Sequence, residues 1–221
     1  MKQGVVASEA TWQHVLGLAF SGSRCVVHGL APLPVALPVA RWRDGADDGD
    51  RALLDHCVGA VLDLGCGPGR LAHELAERGH RVMGVDGLPE AVALTRARGV
   101  MALRCDVFTP LPGEGAWESV LLADGNIGIG GDPVALLRRA AALLRAGGRV
   151  VVDLEGPGVG VRRCSIRLEV EGVSSDSLQW AVVGVDRISD VGSAAGLVLV
   201  HTGVHEGSRG RRWFAVLSKE T

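Results

Sequence analysis

The stretch that decides the fold reads Val-Leu-Asp-Leu-Gly-Cys-Gly-Pro-Gly-Arg and spans residues 61–70. Apolar residues and one acid, a pattern typical of a buried strand, run into glycines at alternate positions, Gly65, Gly67 and Gly69. Such a loop lets a ligand lie directly on the backbone, because glycine accepts positive φ and has no Cβ to collide with it. The amide groups of the loop and of the following helix then point at the ligand. The sequence therefore predicts a strand, a ligand-binding loop and a helix in direct succession.

Two kinds of ligand site share this outline. The dinucleotide fingerprint Gly-x-Gly-x-x-Gly also closes a strand and opens a helix. Counted from Gly65, that pattern requires Gly or Ala where this chain has Arg70. The segment instead resembles motif I of the class I S-adenosylmethionine-dependent methyltransferases, in which an acid and one further residue precede Gly-x-Gly-x-Gly; here the acid is Asp63. An acid at this place also suits a cationic ligand better than a pyrophosphate.

Length and composition favour one globular domain that acts on a small molecule. The 221 residues are enough for a single α/β domain with a sizeable core. A net charge of −2 gives no global field that would attract phosphate backbones, so nucleic acid is not the expected partner. The Asn-Pro-Pro-Tyr motif of base-modifying family members is also absent, since the corresponding stretch reads Asp124-Gly125-Asn126-Ile127. A local basic cluster, Arg209, Arg211 and Arg212, is predicted to lie at the solvated tip of a hairpin.

The cysteines and the N-terminal stretch predict a cytoplasmic protein without a metal. Five cysteines show neither disulfide nor metal-ligand spacing, and their odd number indicates reduced thiols. Cys66, inside the glycine loop, is interpreted as a packing residue. The apolar residues 15–20 are too short for a signal peptide or a membrane span, and prolines follow them. We expect a monomer or a homodimer without a membrane partner.

Alternating strand and helix patterns predict an α/β fold with a doubly wound, mostly parallel seven-stranded sheet. The strands of its parallel part are expected at 60–64, 81–85, 101–105, 119–123 and 149–154. The helices are expected at 69–78, at 89–98 and from the N-cap Asp132 to Gly147.

Further segments complete the predicted fold. A weak helix at 186–195 and an antiparallel C-terminal hairpin, 197–205 with 211–219, match the end of the resembled fold. Strands at 163–171 and 177–183 form a two-stranded insert. Residues 1–46 are predicted to be an N-terminal cap or lid, with a helix over 8–20 capped by Ser8, and residues 47–221 the methyltransferase domain.

Acids follow three successive predicted strands, at Asp86, Asp106 and Asp124. In a doubly wound sheet, ligands bind beyond the carboxyl ends of the strands. The resemblance implies that Asp86 holds the ribose, whose hydroxyls a carboxylate can accept, and that Asp106 meets the adenine amino group. Each acid also has a structural interpretation: an N-cap for Asp86, a strand-end turn for Asp106, and ordering of the loop amides for Asp63.

The resemblance implies S-adenosyl-L-methionine as cofactor and S-adenosyl-L-homocysteine as product. The residues expected to bind them are Asp63, Gly65, Cys66, Gly67, Gly69, Asp86, Gly87, Leu88, Asp106, Val107, Asp124, Gly125 and Asn126.

Residues 124–132 contain four glycines, which indicates a loop that passes close to another group. Methyl transfer needs alignment, exclusion of water and, for a weak nucleophile, a base. Candidates for a catalytic role are Asn126, His28 and His14. Trp42 and Glu155 are candidates for the acceptor pocket.

The expected function is direct transfer of a methyl group to an oxygen or nitrogen atom of a small molecule. Two alternatives stay open. One is a nucleoside-binding module without catalysis. The other is a nicotinamide-dependent oxidoreductase, which would need a sixth parallel strand that the pattern does not show.

Overall fold

The computed structural model describes residues 10–207 and 210–220. Its helices are α1 (Trp12–Phe20), α2 (Val39–Arg43), α3 (Asp48–Leu54), α4 (Arg70–Glu77), α5 (Pro89–Ala97), α6 (Pro133–Leu143) and α7 (Ile188–Ala194). Its strands are β1 (Cys25–His28), β2 (Val35–Ala36), β3 (Ala60–Leu64), β4 (Arg81–Asp86), β5 (Met101–Arg104), β6 (Trp117–Leu122), β7 (Leu144–Leu154), β8 (Val161–Val170), β9 (Val173–Ser174), β10 (Leu178–Val183), β11 (Leu197–Gly207) and β12 (Gly210–Lys219). Short 3-10 helices span Asn126–Gly131 and Val185–Arg187.

The large sheet has seven strands in the order β11-β12-β7-β6-β3-β4-β5. The five strands β3 to β7 are parallel, whereas β12 is antiparallel to both β7 and β11. The predicted fold class is therefore confirmed, including the antiparallel hairpin at the C-terminal end. Of the two hairpin strands, β12 alone runs antiparallel to the other six, and β11 lies beyond it at the edge of the sheet.

The strand β3, the middle one of the five parallel strands, is buried at all five residues, and four of the five are apolar. The helices that follow the parallel strands begin where the sequence predicts. Asp132 caps α6 by accepting hydrogen bonds from the amides of Val134 and Ala135 at 3.1 and 3.2 Å, and Pro133 occupies the first turn. These local signals depend on residues that are neighbours in the chain, so they can be recognised in the sequence without knowledge of the tertiary structure.

Helix α1 begins later than predicted. Ser8, the expected N-cap, lies outside the described residues. The helix starts at Trp12 and is capped by Thr11, whose side chain accepts a hydrogen bond from the His14 amide at 3.3 Å.

A second, antiparallel sheet has the order β10-β8-β1-β2, with β9 paired to β8. Its central pairing joins β1, near the N-terminus, to β8, in the predicted insert, with Val26 opposite Glu169. The N-terminal segment and the insert therefore build one common cap, which also contains α1 and α2. The domain boundary at residue 47 stays a prediction.

The glycines of residues 124–132 have a packing explanation in the contact of this loop with the cap. A Cβ at Gly128 would collide with the carbonyl oxygen of Ala181, and one at Gly131 would lie 2.9 Å from Cβ of Gln179. Both neighbours belong to β10 of the cap. A cap strand therefore lies directly on the loop at two of its four glycines, Gly128 and Gly131.

No helix within the described residues combines the length and the apolar character that crossing a membrane requires.

We predict that Gly69→Ala destabilises the protein more than Gly79→Ala. Both glycines have left-handed φ, +81° and +85°, so alanine costs about 1–2 kcal/mol at either position. A Cβ at Gly69 would additionally lie 2.7 Å from Oγ1 of Thr95, which adds about 1–3 kcal/mol of overpacking, whereas Gly79 faces open space. Urea denaturation measures both free energies of unfolding, and equal losses would contradict the prediction.

Candidate active site

A cavity of about 910 Å³ lies between the carboxyl ends of the parallel strands and the cap. This volume is near the upper end of the range of about 300–1,000 Å³ for small-molecule pockets. The cavity is lined on one side by the glycine loop and the acids at the strand ends, and on the other by apolar side chains of the cap. Its position at the point where the strand order reverses is the expected one.

Two side chains hold the glycine loop in place by hydrogen bonds, and the loop presents main chain to the cavity. The Asn126 side-chain amide donates to the carbonyl oxygens of Leu64 and Gly65 at 2.9 and 2.8 Å. The Thr95 hydroxyl donates to the carbonyl oxygen of Gly67 at 2.8 Å. A Cβ at Gly67 would meet nothing within 4 Å, so the loop offers main chain alone to the cavity at this residue. Both donor hydrogens of Asn126 thus hold the loop in place.

Asp86, at the end of β4, joins this loop to the next helix. Its carboxylate accepts hydrogen bonds from the amides of Gly67 at 2.9 Å and Leu88 at 2.8 Å. Burial raises the pKa of Asp86, and these two amide hydrogen bonds act against that rise. The side chain lines the cavity, so the structural role seen here and the predicted ribose-binding role are compatible.

The predicted adenine-binding residues line the same wall. Asp106 is exposed and accepts a hydrogen bond from the Phe108 amide at 2.9 Å, as its strand-end turn interpretation predicts. The apolar side chains of Leu88 and Val107 are buried beside it. Trp12 of the cap also lines this wall, and a Cβ at Gly87 would lie 3.2 Å from its ring. Sequence reasoning did not identify this contact.

Asp63 is a buried acid of the site with a raised pKa. Its carboxyl is 2% exposed and lines the cavity, and among residues 10–207 and 210–220 it has no hydrogen bond or ion pair. Burial, followed by the charges of Asp124 and Asp86, raises its pKa to about 8. A buried carboxyl without a cation, in the same cavity wall as the bare main chain of Gly67, fits a positively charged ligand such as the sulfonium of S-adenosylmethionine. Cys66, by contrast, is buried against Thr95 and serves packing.

Sequence reasoning missed a buried ionic cluster behind the loop. Arg70, 3% exposed, pairs with Asp50 and with Asp124, the latter at 2.5 Å. Asp124, predicted to be a cofactor ligand, is thereby engaged by arginines, although it also lines the cavity. The remaining members are Arg41, Asp47, Asp153 and Arg212.

The prediction that Arg212 lies at a solvated hairpin tip was wrong. Its guanidinium is 11% exposed and contacts Asp153 at 2.9 Å. Arg211 is 66% exposed and pairs with Glu206, as expected for a solvated residue, while Arg209 lies outside the described residues. The alternation of side chains along a strand was the available signal, because Arg212 shares its face of β12 with the buried Phe214.

The structure places neither candidate histidine at the cavity. His14 is exposed because α1 turns Val15 and Ala19 inward instead. His28 alternates with the buried Val27 on β1, and its Nε2 lies 2.9 Å from a Glu169 carboxylate oxygen. Trp42, Glu155, Gly125 and Asn126 do line the cavity.

These features define the class of protein. Residues 61–148 match a family model described as a methyltransferase domain. Together with the strand order and the glycine loop, this match confirms the predicted resemblance: residues 61–148 match a methyltransferase domain, and the large sheet has the fold of the class I S-adenosylmethionine-dependent methyltransferases.

Individual proteins show the same fold. An S-adenosylmethionine-dependent methyltransferase from Bacteroides fragilis, solved with S-adenosyl-L-homocysteine, has a TM-score of 0.75 and 19% identity over 95% of this chain and 94% of that chain. The 1,6-didemethyltoxoflavin-N1-methyltransferase of Burkholderia thailandensis has a TM-score of 0.60 and 22% identity over 90% and 97% of the two chains.

A curated relative is similar in sequence over part of its length. The ubiquinone biosynthesis O-methyltransferase of Xanthomonas oryzae pv. oryzae is 32% identical over 109 residues, which are 46% of this chain and 45% of that protein. The chain thus spans less than half the length of the curated relatives it matches.

We predict that Asp86→Ala weakens S-adenosylmethionine binding by about 1.5–3 kcal/mol, because charge-assisted hydrogen bonds to the ribose are lost. Isothermal titration calorimetry measures the change. Asp132→Ala is the matched control, since Asp132 also accepts from two backbone amides but lies outside the cavity. Unchanged affinity in Asp86→Ala would contradict the ribose assignment.

We also predict that Asp63→Asn flattens the pH dependence of stability. The raised pKa keeps Asp63 protonated in the folded protein, while the unfolded chain loses that proton near pH 4. The free energy of unfolding should therefore fall by about 1 kcal/mol per pH unit from about pH 4 to about pH 8 on account of this residue. Denaturation at several pH values, without ligand, compares the variant with the wild type. Identical slopes would contradict the prediction.

Proposed function

We propose that this protein transfers the methyl group of S-adenosylmethionine to an oxygen or nitrogen atom of a small-molecule acceptor. The observation that carries the proposal is the unpartnered, buried carboxyl of Asp63, which lines the same cavity as the bare main chain of Gly67. A dinucleotide would bring a negatively charged pyrophosphate to this place, where burial and the charges of Asp124 and Asp86 already raise the pKa of Asp63. A sulfonium brings a positive charge instead, which favours the ionised form of the Asp63 carboxyl.

In this proposal the strand-end residues hold the cofactor. Asp86 would accept from the ribose hydroxyls, Asp106 would accept from the adenine amino group, and Leu88 and Val107 would pack against the ring. The bound cofactor supplies a methyl group that its positively charged sulfur has already activated. The protein therefore has to align the acceptor and exclude water, which is the contribution that positioning makes to rate.

The cap supports a small, largely apolar acceptor. Its wall of the cavity includes Phe20, Leu37, Trp42 and Trp180. Glu155, directly after β7, is exposed at this wall, and within the described part of the chain its side chain has no ion pair or hydrogen bond. Since the histidine candidates lie elsewhere, Glu155 is the group best placed to take a proton from the acceptor.

The acceptor atom is oxygen or nitrogen in this proposal because proteins with similar sequence or fold include both types by name, an O-methyltransferase and an N1-methyltransferase. A nucleoside-binding module without turnover would use the same cofactor residues. Only a measurement of methyl transfer distinguishes such a module from an enzyme.

Calorimetric titration with S-adenosylmethionine, S-adenosylhomocysteine and NAD tests the proposal. We expect the first two to bind and NAD to give no heat, because NAD would bring a negatively charged pyrophosphate to the acids of this site and the loop carries Arg70 where the dinucleotide pattern needs a small residue. Heat with NAD alone would overturn the proposal. Binding without turnover on a panel of phenols and aromatic amines would favour the module without catalysis.

A further inference from the structure

We propose that the acceptor of this protein is an apolar amine, which binds as an ammonium ion at Glu155 and the cap tryptophans and loses a proton to Glu155 before it is methylated. This inference rests on the proposed function, because it concerns the acceptor part of the same cavity. It narrows the acceptor atom from oxygen or nitrogen to nitrogen.

The cap side of the cavity offers no free cation to an anionic acceptor. Among the described residues, the basic side chains that line the cavity are three arginines, without a lysine or a histidine. Arg41 and Arg70 are both paired with Asp50 and Asp124. The third, Arg104, is the last residue of β5, on the wall expected to hold the adenine. A carboxylate, phosphate or sulfate on the acceptor would therefore find no cationic partner beside the cap.

Negative charge is in excess around the same cavity. Six acids line it, against the three arginines. Behind this lining, the ionic cluster adds two more acids, Asp47 and Asp50, but only one more guanidinium, that of Arg212. The single positive charge of the cofactor does not offset this excess. Because apolar walls lower the local dielectric and strengthen the effect of each charge, a cationic acceptor is favoured over a neutral one.

Glu155 is the acid placed to receive the ammonium ion. Its backbone joins the end of β7 to the cap, because its amide donates to the Val183 carbonyl oxygen and its own carbonyl oxygen accepts from the Val185 amide, both at 3.0 Å. Its side chain lines the cavity and, within the described residues, has no hydrogen bond or ion pair. Its carboxylate is therefore available to a ligand. Because Glu155 is also exposed, a proton that it takes can pass to solvent.

Aromatic side chains of the cap complete this subsite. Trp42 of α2 and Trp180 of β10 both line the cavity. A Cβ at Gly128 would collide with Nε1 of Trp180, so this indole lies on the loop Asn126–Gly131. The same loop holds the glycine loop through the Asn126 side chain, which brings the Trp180 ring to the part of the cavity where the cofactor is expected. Indole faces attract ammonium ions, whereas they offer no such attraction to a hydroxyl group.

The proton transfer comes before the methyl transfer, because an ammonium ion has no lone pair. The Glu155 carboxylate takes one proton from the ammonium ion, and the neutral amine that remains attacks the methyl carbon. The C–N bond forms as the C–S bond breaks, and the electron pair of the broken bond stays on sulfur. The products are the methylated ammonium ion and S-adenosylhomocysteine, and the protonated Glu155 then releases its proton to solvent.

Matched ligands that differ in their polar group test this inference. Protein saturated with S-adenosylhomocysteine is titrated with tryptamine, indole-3-ethanol and indole-3-acetate, and separately with benzylamine, benzyl alcohol and benzoate. Each set keeps one ring and presents an ammonium, a hydroxyl or a carboxylate. We expect at least one of the amines to bind about tenfold more tightly than the alcohol with the same ring, and the carboxylates to give no heat.

Variants assign this preference to the named side chains. Glu155→Gln removes the charge and keeps the shape, so we expect it to weaken amine binding about tenfold, to leave alcohol binding within about twofold of the wild type, and to lower kcat for methylation of the amine. Trp180→Phe keeps a ring face and should retain more of the amine binding than Trp180→Leu. Glu77→Gln is the matched control, since Glu77 is exposed on α4 and does not line the cavity. Thermal unfolding of every variant separates a loss of binding from a loss of folding.

The outcomes separate this inference from the proposed function. If the wild type binds S-adenosylhomocysteine but no amine, or binds the alcohols or carboxylates as tightly as the amines, the inference is overturned and the proposed function stands. An equal loss of amine and alcohol binding in Glu155→Gln would overturn it as well. If the wild type does not bind S-adenosylhomocysteine, the proposed function fails and the inference fails with it.

Discussion

The buried ion pairs of Arg70 are the constraint on which the site depends. Arg70 begins α4 directly after the glycine loop, and it lies between Asp50 of α3 and Asp124 at the end of β6. Taking these charges out of water costs free energy that good geometry only partly offsets, so the pairs specify an arrangement more than they stabilise the fold. Arg70 is 3% exposed and is the member of the cluster that directly follows the glycine loop, whereas Arg41 and Arg212 contact the same two acids from other elements. The loop, the end of β6 and α3 are thereby held in one relative position.

The same cluster reaches the cap through Arg41, which contacts both Asp50 and Asp124. The cap is otherwise seated on the core by apolar packing and by the close approach of β10 to the loop Asn126–Gly131. One cluster of charges therefore links the wall expected to hold the cofactor to the wall expected to face the acceptor. Methyl transfer requires a fixed distance between these two ligands, and a shared rigid element is a direct way to set it.

Local sequence signals predicted the α/β core and the glycine loop. Three features depend only on neighbours in the chain: the pattern of residues 61–70, the Asp132 cap and the acids at the strand ends. They can therefore be recognised in the sequence without knowledge of the fold. The cap was only partly predictable. Its strands β1 and β8 are more than a hundred residues apart in the chain, and the sequence of neither strand indicates which strand it pairs with. The ionic cluster was missed for the same reason, since its members come from separate elements. The prediction that His14 and His28 take part in catalysis was not supported by their positions, because the sequence around a single histidine does not indicate whether its side chain faces the cavity or the solvent.

The shared sheet of the cap has a consequence for how acceptor preference could be changed. The N-terminal segment and the insert are complementary halves of one β-sheet, and β1 is hydrogen-bonded to β8 along its whole length. A chimera that imports only one half from another methyltransferase would bring together strand edges that were never selected for each other. Such an exchange would succeed as a matched pair, so the two distant stretches form a single module for recombination.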